Sequence, residues 1–166
     1  MRVLGLDPGF ATTGFAVVDK TTTGFGAVAM GALRTSASSG HAARLGSLFR
    51  SVVEVIEVHA PDVVAVERLF FNSNVRTAIA VGQASGAALA AAAVADLDVF
   101  EYTPGEVKQA VAGTGSAPKK QVQAMVAALL KLSEAPRPAD AADACALAIC
   151  HINRSGLESA LARVAR

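Results

Sequence analysis

A chain of 166 residues, 52% hydrophobic and 17% charged, is long enough to bury a full core and too apolar to be disordered or fibrous. Its longest purely apolar run, Ala87 to Ala95, falls well short of the ~18 residues of a membrane span, and the first residues lack a signal peptide's basic flank and cleavage site, so a soluble, cytoplasmic protein is expected. A net charge of +1 shows no basic excess for a polyanionic partner, unless some of the acids are withdrawn into a site of their own.

Arg2 to Leu6, Thr13 to Val18 and Gly24 to Arg34 are runs of β-branched, small and aromatic residues separated by Gly, Pro and Thr, and predict three strands in a meander. Leu45, Leu48, Phe49, Val52, Val53 and Ile56 then recur at steps of three and four, predicting an amphipathic helix that ends before Pro61. Val63 to Val66 is a continuous apolar run of the kind found in a strand buried on both faces, and it leads into Glu67. Val75 to Ala95 has helical composition, with Gly82, Ala84, Ser85 and Gly86 small enough for another helix to approach. Val99 to Tyr102 predicts a fifth strand, Glu106 to Ala112 a short helix, Gly113 to Pro118 a loop and Lys119 to Leu132 a further helix. After Pro136 and Pro138 a last major helix runs to about His151, followed by a tail from about residue 155. Residues 1–166 thus read as a single α/β domain in the order β-β-β-α-β-α-β-α, a ribonuclease H-like five-stranded mixed sheet flanked by helices. Cys145 and Cys150 fall on the last helix with no further soft ligand nearby and are expected to be reduced core thiols. His41, His59 and His151 lack metal-ligand spacing and are expected at the surface or at helix ends.

Four acids stand out against this frame. Asp7 ends the first strand in Asp-Pro-Gly, and Glu67 ends the buried strand Val63 to Val66 in the same way, so adjacent central strands would bring both carboxylates to one edge of the sheet. Alone, Asp7 is more readily read as a turn former, and Glu67 is as well read as a salt-bridged or solvated strand end as a functional acid. Asp140 and Asp143, three apart at the start of the last helix, point from one face; dipole capping explains one of them, but two like charges at this spacing repel. Four carboxylates together would demand cations, and hard oxygen ligands select Mg²⁺ or Mn²⁺. Two such ions ~3.5–4 Å apart are a recurring device for phosphodiester hydrolysis. Setting the four acids aside leaves 15 basic against 10 acidic side chains, a basic exterior around an acidic pit.

The segments LGLDPGFATTGFAVVD, VVAVERLFFNSN, GQASGA, EYTPGEVKQAVAGTGSAPKKQVQ and ADAADACALAI closely resemble the RuvC family of Holliday-junction resolvases over nearly the whole chain. That resemblance implies a metal-dependent endodeoxyribonuclease that nicks four-way DNA junctions in pairs, with Asp7, Glu67, Asp140 and Asp143 as ligands of two Mg²⁺ ions, or of Mn²⁺. It further implies catalytic roles for Lys108 and Lys119, with Lys120 adjacent enough to exchange roles with Lys119, and an aromatic at Phe70 that stacks on junction bases. Phe71 is as well read as core, while Asn72, Asn74 and Arg76 are candidate DNA contacts on the same stretch.

Two like strands cut at related points call for two sites on a two-fold axis, hence a homodimer, with the small-residue helix Val75 to Ala95 as candidate interface. The resemblance implies RuvA and RuvB as partners. Three other readings compete: an actin-like or sugar-kinase phosphotransferase, which needs a second domain; a YqgF-type RNA-processing nuclease of the same fold; and a junction-binding module without catalysis.

Overall fold

Alternation along the strands decides which side chains meet which helices in the computed structural model, which describes residues 1–68 and 75–164, with backbone alone for 75, 76 and 158–164. The strands are β1 (Arg2–Asp7), β2 (Thr12–Thr21), β3 (Gly24–Arg34), β4 (Val63–Glu67) and β5 (Asp98–Tyr102). They form one sheet in the order β3-β2-β1-β4-β5. β1 pairs antiparallel with β2 and parallel with β4, so the sheet is antiparallel on one side and parallel on the other.

Leu4 and Leu6 of β1, Val17 of β2 and Val64 and Val66 of β4 are fully buried on one face. Helices α1 (His41–His59) and α2 (Val75–Val94) cover that face through Leu48, Val52, Ala84, Ala88, Ala91 and Ala92. Val3, Ala16, Val18 and Ala65 point the other way, under α3 (Pro104–Ala112), α4 (Lys119–Leu129) and α5 (Ala139–Val164). The period of two therefore puts Gly5 and Asp7 on the α5 side of β1, and Glu67 on the same side of β4.

Helix α5 lies on β1 and β2 at backbone distance. A Cβ on Gly5 would stand 2.0 Å from the Ala144 carbonyl oxygen, and one on Gly14 would stand 2.0 Å from that of Asp140. Only glycine admits the helix at these two points.

Several bounds differ from the sequence-based expectation. α3 starts at Pro104 because Thr103 caps it: its hydroxyl accepts from the Glu106 N–H, and the Glu106 carboxylate accepts from the Thr103 N–H. α4 ends at Leu129 rather than Leu132, since Lys131 turns into the left-handed region at φ 55°. α5 does not stop near His151: its helical backbone runs to Val164, the last buried side chain among those described being Ile152. His151 is likewise not a surface residue. It is 4% exposed, its Nδ1 lies 2.7 Å from the Tyr102 hydroxyl, and its ring centroid is 4.5 Å from that of Phe100. Cys145 and Cys150 are buried free thiols, as expected. Among the described residues one helical segment, Thr77–Val94, is long and apolar enough to cross a membrane by length and composition, and it contributes the buried alanines of α2 to the core.

Gly5→Ala is expected to destabilise the fold by about 1–3 kcal/mol, because the new methyl meets a helix backbone that has no side chain to rotate away. Gly86→Ala, with nothing within 4 Å of the new carbon, serves as the control. Urea denaturation of the two variants checks the difference, and equal midpoints would contradict the close packing of α5.

Candidate metal centre

Asp7 is the last residue of β1, and its position is set on three sides. Gly14 is its cross-strand partner. The turn that follows is fixed by Thr13, a fully buried residue whose hydroxyl donates to the Gly9 carbonyl at 3.0 Å and accepts from the Gly9 N–H at 3.3 Å. The Phe10 carbonyl in turn accepts from the Thr35 hydroxyl at 2.7 Å and from the Arg44 guanidinium at 3.2 Å, while that guanidinium lies 4.0 Å above the Phe10 ring. The chain beyond Asp7 is thereby tied to the end of β3 and to the first turns of α1.

Because α5 enters over Gly14, its first turns arrive directly above Asp7. Asp7, Asp140 and Asp143 can each offer a carboxylate oxygen such that all three lie within 4.8 Å of one another. Glu67 stands at the end of the neighbouring parallel strand, one residue beyond the Leu6–Val66 pair. It shares with Asp7 and Asp143 a cavity of about 320 Å³, whose other wall carries Lys108 of α3 and Lys119 of α4. The four acids singled out in the sequence thus converge, three as a tight group and Glu67 across the cavity. The Lys119 ammonium donates to Asp143 Oδ2 at 2.6 Å. Lys120 is exposed and takes no part in lining the cavity. α3 is braced in place by an ion pair between Glu106 and Arg154 of α5.

Phe70, Phe71, Asn72 and Asn74 lie outside the described residues; Arg76 sits in the first turn of α2, and its side chain is also outside them. The sequence reading passed over Gly5, Gly14, Thr13 and Arg44. The usable signal was period two: Gly5 precedes Asp7 by two residues on one face of β1, as a glycine does where another backbone comes close.

Burial, and like charge after it, shows in the titration of Asp7 and Glu67. Burial, followed by the charges of Asp143, Glu67 and Asp140, pushes the Asp7 carboxyl from 3.8 up to about 7, with Lys119 opposing. Burial, followed by Asp143, also raises Glu67, against Lys119 and Lys108. Carboxylates gathered in this way form a donor set that suits a hard divalent cation, and the oxygens of Asp7, Asp140 and Asp143 stand close enough to share one.

Folding holds Asp7 protonated up to about pH 7, whereas the unfolded chain ionises near 3.8. Its contribution is therefore present at low pH and lost as pH rises towards about 7. The metal-free protein is expected to lose on the order of 2–4 kcal/mol of stability across that window. Asp7→Asn should flatten the profile between pH 5 and 8, and Mg²⁺ should restore the wild type at pH 8. Denaturation midpoints at both pH values check this, and a flat wild-type profile would contradict the burial of Asp7 among like charges.

A model of the family described as crossover junction endodeoxyribonuclease RuvC matches residues 3–151. The RuvC protein of Caldanaerobacter subterraneus is 45% identical over 157 residues, which cover 95% of each chain. The solved structure of Thermus thermophilus RuvC superposes with a TM-score of 0.89 at 38% identity, over 95% of this chain and 97% of that one. The same protein solved in complex with a Holliday junction substrate gives 0.87 at 36% identity, over 95% and 96%. A superposition over nearly the whole of both chains, a relative 45% identical over 95% of each and a family match over residues 3–151 lead to one assignment: the chain belongs to the RuvC family of crossover junction endodeoxyribonucleases.

Proposed function

We infer that this protein is a structure-specific endodeoxyribonuclease that resolves four-way DNA junctions by paired nicks. The observation that carries the reading is the convergence of Asp7, Asp140 and Asp143 beside a cavity walled by Glu67, Lys108 and Lys119. A carboxylate group next to two ammonium groups is matched to a phosphodiester: the acids hold cations and the lysines meet the anionic oxygens. Family membership sets aside the kinase-like and RNA-processing readings, and the retained acids speak against a module that only binds.

We propose Mg²⁺ as the cofactor, two ions per subunit, with Mn²⁺ as a substitute and Asp7, Glu67, Asp140 and Asp143 as the ligands. When bound, the ions supply positive charge that neutralises the scissile phosphate, favours ionisation of the attacking water and stabilises the leaving 3′ oxygen. The chain's own contribution is positional. Asp7 and Glu67 end two adjacent strands, so their separation is fixed by the ladder between β1 and β4. Asp140 and Asp143 ride on a helix whose distance from the sheet is fixed by Gly5 and Gly14. Lys108 and Lys119 project into the cavity from two different helices, where each can contact a non-bridging phosphate oxygen. Lys120, Asn74 and Arg76 are assigned to DNA contacts flanking the site, and Phe70 to stacking on an unpaired base.

A junction presents two equivalent strands, so the active species is taken to be a homodimer. Support comes from α2: Gly86 is exposed with open space around it, and Ile79 is 56% exposed on the same helix. RuvA and RuvB are the proposed partners and the cytoplasm the proposed location, both on the strength of family resemblance.

Incubating the protein with Mg²⁺ and a mobile synthetic junction should yield two symmetric nicks, and structured RNA should remain uncut. Asp7→Asn is expected to lower cleavage by at least about 100-fold while junction affinity in a gel-shift assay changes less than about threefold, since the change removes a ligand and a negative charge beside phosphate. Cleavage at the wild-type rate would end the ligand assignment. Gly86→Trp should shift the sedimentation coefficient from dimer to monomer with the far-ultraviolet spectrum unchanged; an intact dimer would remove α2 from the interface.

A further inference from the structure

The one cationic group in direct contact with the acid cluster, among the described residues, is Lys119, whose ammonium sits 2.6 Å from Asp143 Oδ2. Its reach extends beyond that partner: it opposes the charge at Asp7 and at Glu67 as well, the two acids that end the central strands. Lys119 is the first residue of α4 and follows the N-cap Pro118, and its side chain is 59% exposed, with Asp143 as its ion-pair partner. Asp143 faces the same cavity and belongs to the three-carboxylate group. Its oxygen therefore cannot give its full charge both to the lysine and to a metal ion.

We propose that Lys119 is a built-in counter-ion of the metal-free site, holding Asp143 across the cavity until a divalent cation displaces it and frees its ammonium for the phosphate. The lysine thereby has two partners in sequence, a carboxylate first and a substrate anion second. Its release makes metal binding and anion binding mutually favourable, because whichever arrives first removes a competitor of the other. The ion pair is partly solvent-exposed, and pairs of this kind are weak, so the competition is modest and the swap is easily driven by a doubly charged ion. Lys108, on the opposite helix, also lines the cavity and opposes charge at Glu67, and it stays available to the phosphate throughout.

The inference rests on the metal reading above, and its test separates the two. Mn²⁺ binding to the metal-free protein is measured by electron paramagnetic resonance without DNA, for the wild type, Lys119→Met and Lys108→Met. Lys119→Met should bind Mn²⁺ about three- to tenfold more tightly than the wild type, the worth of a partly exposed ion pair of up to ~1 kcal/mol plus relief of charge repulsion. Lys108→Met should change the constant less than about twofold. In parallel, nitrogen-15 spectra of the lysine side chains should show the Lys119 ammonium resonance protected without metal and exchange-broadened once Mg²⁺ is added. Mn²⁺ bound equally by wild type and Lys119→Met, or a Lys119 resonance indifferent to Mg²⁺, overturns the counter-ion role and leaves the metal site standing. No Mn²⁺ bound by any of the three chains overturns both.

Discussion

Helix α5 rests on the sheet with no side chain between the two backbones, because Gly5 and Gly14 leave space where the carbonyls of Ala144 and Asp140 pass. That contact fixes more than packing. Gly14 is the strand partner of Asp7, so the point of closest approach is also the point where Asp140 and Asp143 are lowered onto Asp7. An extra methyl there would lift the first turns of α5 and open the acid cluster, while the apolar layer farther along the helix could still pack. Fold and site thus share a constraint at two residues that carry no chemistry of their own.

The cluster created in this way is unfavourable unless cations balance it. Burial and mutual repulsion keep Asp7 near the middle of the pH range instead of in the usual carboxylate range. The chain offsets this from outside the cluster: Thr13 and Gly9 lock the turn beyond Asp7, Arg44 and Thr35 anchor Phe10, and Glu106 with Arg154 ties α3 to α5 so that Lys108 faces the cavity. Rigid support of this kind maintains a strained electrostatic arrangement that a looser scaffold would relax by moving the acids apart. It also explains why the acids come from secondary structure and not from loops: a strand end and a helix face hold a carboxylate to within a fraction of an ångström.

Much of this was legible in the sequence. The five strands and the helices between them announce themselves by periodicity, and Asp7 and Glu67 stand out as charges at the ends of apolar runs. Asp140 and Asp143 were conspicuous because capping accounts for only one of them. Legibility failed where a residue's role depends on what lies across from it. Gly5 and Gly14 look like ordinary strand glycines until a helix backbone is placed over them. His151 has the spacing of a helix-end residue, yet α5 continues past it and the ring is buried against Tyr102 and Phe100. The length of α5 was underestimated because its apolar pattern ends at Ile152, with Leu157 already 61% exposed, while the helical backbone goes on past Gly156 with no proline to stop it. Lys119 and Lys120 are indistinguishable in composition; only the entry angle of α4 turns the first to Asp143 and the second to solvent.

The most direct measurement is anomalous diffraction at the manganese edge from crystals soaked in Mn²⁺. Carboxylates forced together because cations are meant to sit among them predict an anomalous peak bounded by Asp7, Asp140 and Asp143, on the Glu67 side of the group. Peaks confined to other acids of the surface, with Asp7 left carrying a proton and no ion beside it, would contradict that claim.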